Sequence, residues 1–144
     1  MADIVDKATR SRMMAGIGGK NTRPEMAVRR ALHARGFRFR LHVASLPGKP
    51  DIVLAKHRAA IFVHGCFWHR HDGCRFATTP ATRPDFWLQK FGQNVLRDHR
   101  NEVALRHQGW RTAVVWECEI RSGPDVISEL VDWISSDAVT FPVR

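Results

Sequence analysis

A short stretch in the middle of the chain, HGCFWHRHDGC at residues 64–74, holds most of the side chains that can do chemistry. It combines three histidines and two cysteines with a Phe-Trp pair, and it directly follows an apolar segment. Cysteine and histidine are ligands of transition metals, and histidine also moves protons near neutral pH. The stretch therefore predicts a metal site and an acid-base site at the end of one strand.

The cysteines define a candidate zinc site. Cys66, His71 and Cys74 lie within nine residues, and the third cysteine of the chain, Cys118, follows another predicted strand. An odd cysteine count without an export signal argues against a disulfide framework. If the two strands are neighbours, three thiolates and one imidazole form a closed set that is usual for structural Zn²⁺. The alternative is that Cys66 and Cys118 are core thiols and that His69 and His71 are simply exposed.

A lone aspartate predicts a second, catalytic cation site. Asp51 opens the first strand of a predicted hairpin, and the pairing register places it opposite Val63. Mg²⁺ keeps several waters and needs few protein ligands, so the Asp51 carboxylate and the main-chain oxygen of Val63 can suffice. A neutral imidazole near that cation can act as general base, and His64 and His69 are the nearest candidates. The alternative is that Asp51 is an ordinary turn residue.

The rest of the sequence predicts the elements that position these residues. Thr22 and Glu25 form a capping-box pattern at a helix start, so Glu25 either caps that helix or serves a site. The predicted elements are a helix from Thr22 to Gly36, strands over 37–41, 51–55, 59–63 and 112–116, a helix from a cap at Thr82 to about His107, and a helix from Pro124. This order predicts an α/β layered domain around a mixed sheet.

Composition points to a polyanionic partner. The chain has 144 residues, which suits one domain, and it carries 23 Lys and Arg against 14 Asp and Glu, with a pI near 10.7. A basic, arginine-rich domain of this size is typical of nucleic-acid binding. Residues 1–21 are polar and basic and are interpreted as an N-terminal arm. The absence of a secretory leader and of a long apolar run predicts a cytoplasmic, nucleoid-associated protein.

Five sequence blocks resemble the very short patch repair (Vsr) DNA mismatch endonucleases. These blocks follow one another in order and at the spacing of that family. They are DKATRSRMM at 6–14, LPGKPD at 46–51, IFVHGCFWH at 61–69, ATRPDFWLQKFGQNVLRD at 81–98 and GWRTAVVWEC at 109–118. Such enzymes nick DNA at T·G mismatches left by deamination of 5-methylcytosine.

The resemblance implies the fold and the reaction. The expected fold is a three-layer α/β/α sandwich with a central mixed sheet, related to the type II restriction endonucleases and formed by one domain over residues 1–144. The expected enzyme is a monomer that nicks one strand of double-stranded DNA 5′ to the mismatched thymine, by Mg²⁺-dependent hydrolysis. Other mismatch-repair proteins are candidate partners, and the sequence does not identify them.

The resemblance also assigns roles to single residues at the two metal sites. It implies Mg²⁺ at Asp51 and the main-chain oxygen of Val63, with His69 as general base. Glu25 and His64 are then expected to support the network of water and phosphate. The implied structural Zn²⁺ ligands are Cys66, His71, Cys74 and Cys118.

Further residues are implied to contact DNA. Phe67 and Trp68 are expected to intercalate beside the mismatch, while Met14 on the arm approaches from the minor groove. Lys90 and Asn94 lie one helical turn apart and match base-reading positions. On the residues alone, a core location for the two aromatics and a solvated helix face for the two polar residues are favoured.

The chain departs from the family pattern at two places. Val63 stands where threonine is expected, which leaves a main-chain ligand unaffected. The run RHDG at 70–73 interrupts a histidine-rich segment, so the choice between His69 and His71 as the zinc ligand stays open. Two other functions remain: a related nuclease with a different target, and a zinc-stabilised DNA-binding module that does not hydrolyse DNA.

Overall fold

The structure, a computed structural model, describes residues 21–142. The predicted arm up to residue 20, including Met14, lies outside the described residues. No helix within the described range is long and apolar enough to cross a membrane.

A five-stranded mixed sheet forms the centre of the described chain. Its strands, in spatial order, are β1 (Arg40–Leu41), β2 (Ile52–Leu54), β3 (Ala59–His64), β4 (Arg111–Trp116) and β5 (Thr140–Phe141). The first three strands pair antiparallel, while β3, β4 and β5 pair parallel. The predicted α/β class with a mixed sheet is confirmed.

Side chains of the central strands β3 and β4 are buried on both faces of the sheet. The helices are α1 (Arg23–Ala34), α2 (Pro84–His107), α3 (Glu117–Arg121) and α4 (Asp125–Ile134). Ile61 and Val115 pack in one apolar cluster with residues of α1 and α4. Phe62 and Val114 pack on the opposite face with Leu105 of α2. Since successive side chains of a strand point to opposite faces, both faces of β3 and β4 are covered by helices.

Helix α1 begins as the sequence predicts, but only half of its capping box forms. The Thr22 hydroxyl accepts the backbone N–H of Glu25 at 3.4 Å. The Glu25 carboxylate accepts the N–H of Asn21 rather than that of Thr22, and its side chain is buried. Gly36 follows the helix with a φ of +91°, where a residue without Cβ is favoured.

The predicted hairpin register is wrong by one residue. Ile52 pairs with Ile61, so the register extends to place Asp51 opposite Phe62 instead of Val63. The Asp51 side chain nevertheless reaches the backbone N–H of Val63, which donates to Oδ2 at 2.8 Å. The predicted neighbours therefore meet through a side chain rather than across a strand pair.

Other local predictions also differ from the structure. Ala55 leaves β2 for a 3-10 turn that closes at Arg58, whose φ is +53°. The residue before α2 is Arg83 in the left-handed region without a side-chain cap, so Thr82 is not the N-cap. Val95 lies four residues after Phe91, a spacing that predicts one shared apolar face of α2, yet Val95 is 44% exposed whereas Phe91 is buried.

The periodicity of the sequence does not predict two short elements, α3 and β5, and it makes the first predicted strand too long. Only Arg40–Leu41 of the predicted strand over 37–41 pairs with β2, although Phe37 and Phe39 still pack against the core. Helix α3 has five residues and β5 has two. Segments of this length carry too few residues to display a helical or strand period.

Candidate active site and metal centre

The parallel pairing of β3 and β4 brings two cysteines together. The last pair of this ladder joins His64 to Trp116. Cys66 and Cys118 each follow two residues beyond that pair. Because parallel strands end at the same edge of the sheet, the thiols of Cys66 and Cys118 lie close together, as the sequence predicts.

Three thiols and one imidazole meet at this edge and form the thiol cluster: Cys66, His71, Cys74 and Cys118. Their ligand atoms all lie within 4.8 Å of one another, and the three cysteines are free. His71 Nδ1 lies 3.2 Å from the sulfur of Cys118 and 3.7 Å from that of Cys66. A tetrahedral site with Zn–N and Zn–S bonds of about 2.0 and 2.3 Å places a nitrogen and a neighbouring sulfur about 3.5 Å apart. The donor set and its spacing fit Zn²⁺.

The electrostatics of the thiol cluster also fit a cation. Burial raises the pKa of Cys66 to about 12 and raises that of Cys118. The pKa of Cys74 is lowered, mainly by the backbone N–H of Phe76. Thiols of raised pKa keep their protons at neutral pH unless a metal ion replaces them, because buried thiolates close together repel one another.

His69 belongs to a separate cluster, together with His64 and Asp98. Its Nδ1 atom lies 2.6 Å from Oδ2 of Asp98, a residue of α2. The rings of His64 and His69 stack with centroids 3.9 Å apart. Trp116 contacts His64 edge-on and stacks on His71 at 4.3 Å. The structure thus brings His71 to the thiols and directs His69 elsewhere.

His64 is held as a neutral imidazole. Its pKa is lowered to about 3, mainly by burial and also by the neighbouring His69. Within residues 21–142, its Nδ1 atom is buried without a hydrogen-bond partner. An uncharged His64 supports the stacked ring of His69 without adding positive charge to the site.

A carboxylate cluster lies beside these histidines and consists of Glu25, His42 and Asp51. Its ligand atoms also lie within 4.8 Å of one another. His42 Nε2 lies 2.8 Å from Oε2 of Glu25, which is also contacted by Arg29 at 3.3 Å. Two half-buried or buried carboxylates at this separation repel each other, which favours binding of a cation.

The pKa of Asp51 reflects its burial and its charged neighbours. Burial raises its pKa to about 6, against the lowering effect of the Val63 N–H. That value also includes a raising effect of Glu25 and lowering effects of His42 and His69. Asp51 accepts the N–H of Val63, the residue before His64, and the ring of His64 stacks on His69, so the His69–Asp98 pair lies near the carboxylate cluster.

The Phe-Trp pair is half-buried and packs on α2. The ring of Phe67 lies 5.1 Å from that of Phe91, and Trp68 lies 6.0 Å from Trp87. The Asn94 amide donates to the backbone carbonyl of Trp68 at 3.3 Å. One side of each ring is therefore supported by the helix, while the remainder of each residue is solvent-accessible.

The two polar helix residues have different surroundings. Lys90 is exposed, which fits a solvated helix face and a contact with DNA equally. Asn94 is only 9% exposed, and its side-chain oxygen accepts from Arg97 at 2.8 Å. The solvated-face interpretation of Asn94 is wrong, since this amide holds the backbone at Trp68.

Arg70 ties the aromatic stretch to the loop that follows it. Its guanidinium donates to the carbonyls of Phe67, Ala77 and Thr78 at 2.8–3.2 Å. The same group lies 4.0 Å above the ring of Phe91. A planar guanidinium with several N–H donors can hydrogen-bond to three carbonyls while it stacks on an aromatic ring, which a lysine ammonium cannot do.

Sequence reasoning missed two members of the site, Asp98 and His42. Asp98 lies four residues beyond Asn94 and eight beyond Lys90, so it continues a row already recognised on the helix. His42 follows Arg38 and Arg40 at alternate positions, a pattern that predicts a solvent-facing side of the strand. Both residues join the site only through tertiary contacts.

Taken together, the fold and the site define an α/β protein whose described residues include three groups of side chains that could hold a metal ion. A family model described as DNA mismatch endonuclease Vsr matches residues 2–75. The type II nicking enzyme V.XorIIP of Xanthomonas oryzae is 52% identical over 120 residues, which cover 83% of this chain and 88% of that protein. DNA mismatch endonuclease Vsr of Escherichia coli is 43% identical, over 99% of this chain and 94% of that protein.

A third relative gives the same result. The type II nicking enzyme V.NmeAIP of Neisseria meningitidis is 43% identical over 85% of this chain and 86% of that protein. The chain therefore belongs to the DNA mismatch endonuclease Vsr family. By that membership it is a DNA endonuclease.

Proposed function

We propose that this endonuclease nicks one strand of double-stranded DNA 5′ to the thymine of a T·G mismatch, with Mg²⁺ at Asp51. The observation that carries the proposal is the His69–Asp98 pair, held beside the carboxylate cluster. A proton acceptor and a cation site that meet at one sheet edge are the two groups that hydrolysis of a phosphodiester needs.

His69 is proposed as the general base. An ionised Asp98 accepts the Nδ1 proton, which leaves Nε2 free to accept a proton from an attacking water. The stack with neutral His64 fixes the plane of the ring. The water then attacks the phosphorus, the 3′ oxygen leaves, and the products are a 5′-phosphate and a 3′-hydroxyl.

The cation would be held by Asp51 and the main-chain oxygen of Val63, close to Glu25. When bound, it offsets the negative charge that develops on the phosphate oxygens. The raised pKa of Asp51 supports this assignment, because a buried carboxylate without a compensating positive charge is poised to accept one. Glu25 is proposed to orient water near the phosphate.

The structural Zn²⁺ is proposed to bind at the thiol cluster of Cys66, His71, Cys74 and Cys118. Since Cys66 directly precedes Phe67, a metal there fixes the backbone from which the Phe-Trp pair extends. Rigid aromatics can then enter a mismatched step, which stacks poorly and costs less to open than a paired step.

Base recognition is proposed to come from the first turns of α2 and from the arm. Lys90 is exposed and free to reach base edges. Asn94 would have to release the Trp68 carbonyl to contact a base, so its contact is proposed to accompany movement of the aromatic pair. Met14 is proposed to approach from the opposite groove.

The architecture of the whole chain is also part of the proposal. We expect one domain over residues 1–144, a fold of the type II restriction endonuclease kind and a monomer in solution. Support comes from the mixed sheet with helices on both faces and a lone aspartate at the start of β2.

A panel of end-labelled duplexes tests the target. Matched DNA, T·G-mismatched DNA and DNA with other mismatches are incubated with the protein and Mg²⁺. Nicking confined to T·G supports the proposal. A second candidate is nicking of an intact recognition site, which is favoured by relatives named type II nicking enzymes. Cutting of matched duplexes at a fixed sequence would support that candidate, and tight binding with no cut would support a non-catalytic module.

A further inference from the structure

The strongest feature that the proposed reaction leaves unused is His42, which completes the carboxylate cluster. Two carboxylates and several waters are enough for Mg²⁺, and they call for no imidazole. His42 nevertheless directs Nε2 toward Oε2 of Glu25 at 2.8 Å and is within 4.8 Å of the Asp51 ligand atom. Its side chain is only 13% exposed, so this is not a solvent-facing histidine.

The position of His42 is imposed by the sheet. Its N–H donates to the carbonyl of Asp51 at 3.1 Å, which extends the pairing of β1 with β2 by one residue. At this point the backbone has a φ of +47°. A non-glycine residue in that region costs on the order of 1 kcal/mol, and such strain is concentrated at functional sites.

The spacing of the donor atoms suits an octahedral ion. Ligands about 2.1 Å from such an ion put neighbouring donor atoms about 3 Å apart. In the structure His42 Nε2 and Glu25 Oε2 share a hydrogen bond at 2.8 Å, so an ion that replaces the shared proton meets both atoms at about the spacing of adjacent ligands. Arg29 shares the Glu25 oxygen, but two carboxylates against one guanidinium leave the cluster net negative.

We propose that His42 is a ligand of the cation at Asp51 and that it gives this centre a preference for a first-row transition-metal ion over Mg²⁺. Imidazole nitrogen is a good ligand for such ions, whereas Mg²⁺ takes oxygen ligands almost exclusively. The inference relies on the proposed function only for the location of the catalytic cation. It names a nitrogen ligand from the residue after β1, next to the carboxylate of Glu25 in α1 and that of Asp51 just before β2.

Mn²⁺ is the appropriate probe, because it is octahedral like Mg²⁺ and paramagnetic. The full chain, with its thiol cluster filled by Zn²⁺, is loaded with Mn²⁺ in the absence of DNA. Pulsed electron paramagnetic resonance then reports nitrogen atoms bound to the ion, and calorimetry gives the affinities for Mn²⁺ and Mg²⁺. The wild type is expected to display nitrogen coupling and to bind Mn²⁺ at least about tenfold more tightly than Mg²⁺.

Two substitutions remove the ligand in different ways. His42→Asn suits the left-handed backbone but shortens the side chain, whereas His42→Gln keeps its reach and replaces the nitrogen by an amide. Both variants should lose the nitrogen coupling and most of the preference for Mn²⁺. His33→Asn, at an exposed position of α1, is the matched control and should change neither property.

His69 is the other source of a nitrogen signal, and His69→Asn separates the two. Coupling that survives His69→Asn and disappears in His42→Asn supports the inference. Coupling that is absent from the wild type, or that persists in His42→Asn, overturns it, as does an unchanged Mn²⁺ preference. These binding measurements need no catalysis, so a protein that binds Mn²⁺ through His42 but never nicks DNA would contradict only the proposed function.

Discussion

The Nδ1 atom of His69 lies 2.6 Å from Oδ2 of Asp98, and this contact joins the strand-end stretch to the middle of α2. A carboxylate that accepts the Nδ1 proton fixes both the tautomer and the orientation of an imidazole. Helix α2 therefore makes two contacts with the site. Asp98 contacts His69, and the Asn94 amide donates to the backbone carbonyl of Trp68.

Asp98→Asn is expected to lower the rate of nicking on the order of 100-fold while DNA binding changes little. The reason is that the variant loses the charge that stabilises a protonated His69 during proton transfer. Single-turnover rates and binding by fluorescence anisotropy give the two quantities. Asp85→Asn, in the exposed first turn of the same helix, is the control. An Asp98→Asn enzyme that nicks within twofold of the wild type would remove Asp98 from the mechanism.

His71→Asn is expected to remove the metal from the thiol cluster and to lower Tm. Structural zinc supplies folding free energy directly, so loss of one of four ligands destabilises the whole edge of the sheet. Elemental analysis should find about one zinc per wild-type chain and much less in the variant. His107→Asn, at an exposed position, should retain the metal. Equal zinc contents in wild type and His71→Asn would contradict the assigned ligand.

Several elements were predictable because their signals are local. The Thr22 cap, the glycine that follows α1 and the long pattern of α2 all depend on residues within one or two turns. The hairpin register was not predictable to the residue, because Arg58 adopts a left-handed conformation that shortens β2. A change of one residue in the turn shifts every pair in the ladder.

The candidate site also has one part that could be predicted from the sequence and one part that could not. The thiol cluster could be predicted, since three of its ligands are near in sequence and the fourth follows the neighbouring strand. His42 and Asp98 could not be assigned from spacing, because each joins the site from a different element across the fold. Burial of Asn94 against the Trp68 carbonyl depends equally on how α2 packs.

Arg70→Ala is expected to weaken both the fold and the aromatic pair. The variant loses three hydrogen bonds to carbonyls and the stack on Phe91, which amounts to about 1–3 kcal/mol of unfolding free energy. Binding of T·G duplex should fall more than binding of matched duplex, as measured by competition. Arg70→Lys should recover little, since lysine lacks the fork.

Arg75→Ala is the matched control for Arg70, because Arg75 is exposed and contacts only the ring of Phe76 in the described hydrogen-bond and ring interactions. It removes the same charge from the same loop. If both variants lose equal affinity for both duplexes, Arg70 contributes only through its charge. That result would contradict the idea that Arg70 supports the aromatic pair.

Asp51→Asn is expected to raise the Tm of the protein at pH 7.5, with zinc at the thiol cluster but no Mg²⁺ added, on the order of a few degrees. The pKa of Asp51 is raised to about 6 in the folded state, against an ordinary value near 3.8. The carboxyl thus favours the folded state when protonated, and that stabilisation is lost as pH rises from about 4 through about 6. Thermal unfolding from pH 3.5 to 7.5 checks this, because the difference between the two proteins should vanish at the acid end.

Nicking of a T·G duplex by wild-type protein and by Asp51→Asn, measured at full occupancy of the DNA and over a Mg²⁺ titration, is the most direct test. The wild type should cut only the thymine strand, 5′ to the mismatched base, and only with a divalent cation. The variant should bind the duplex within about tenfold of the wild type and cut it at least about 1000-fold more slowly. Cutting at a comparable rate by the variant, or cutting that needs no cation, would contradict a cation at Asp51 as the centre of the reaction.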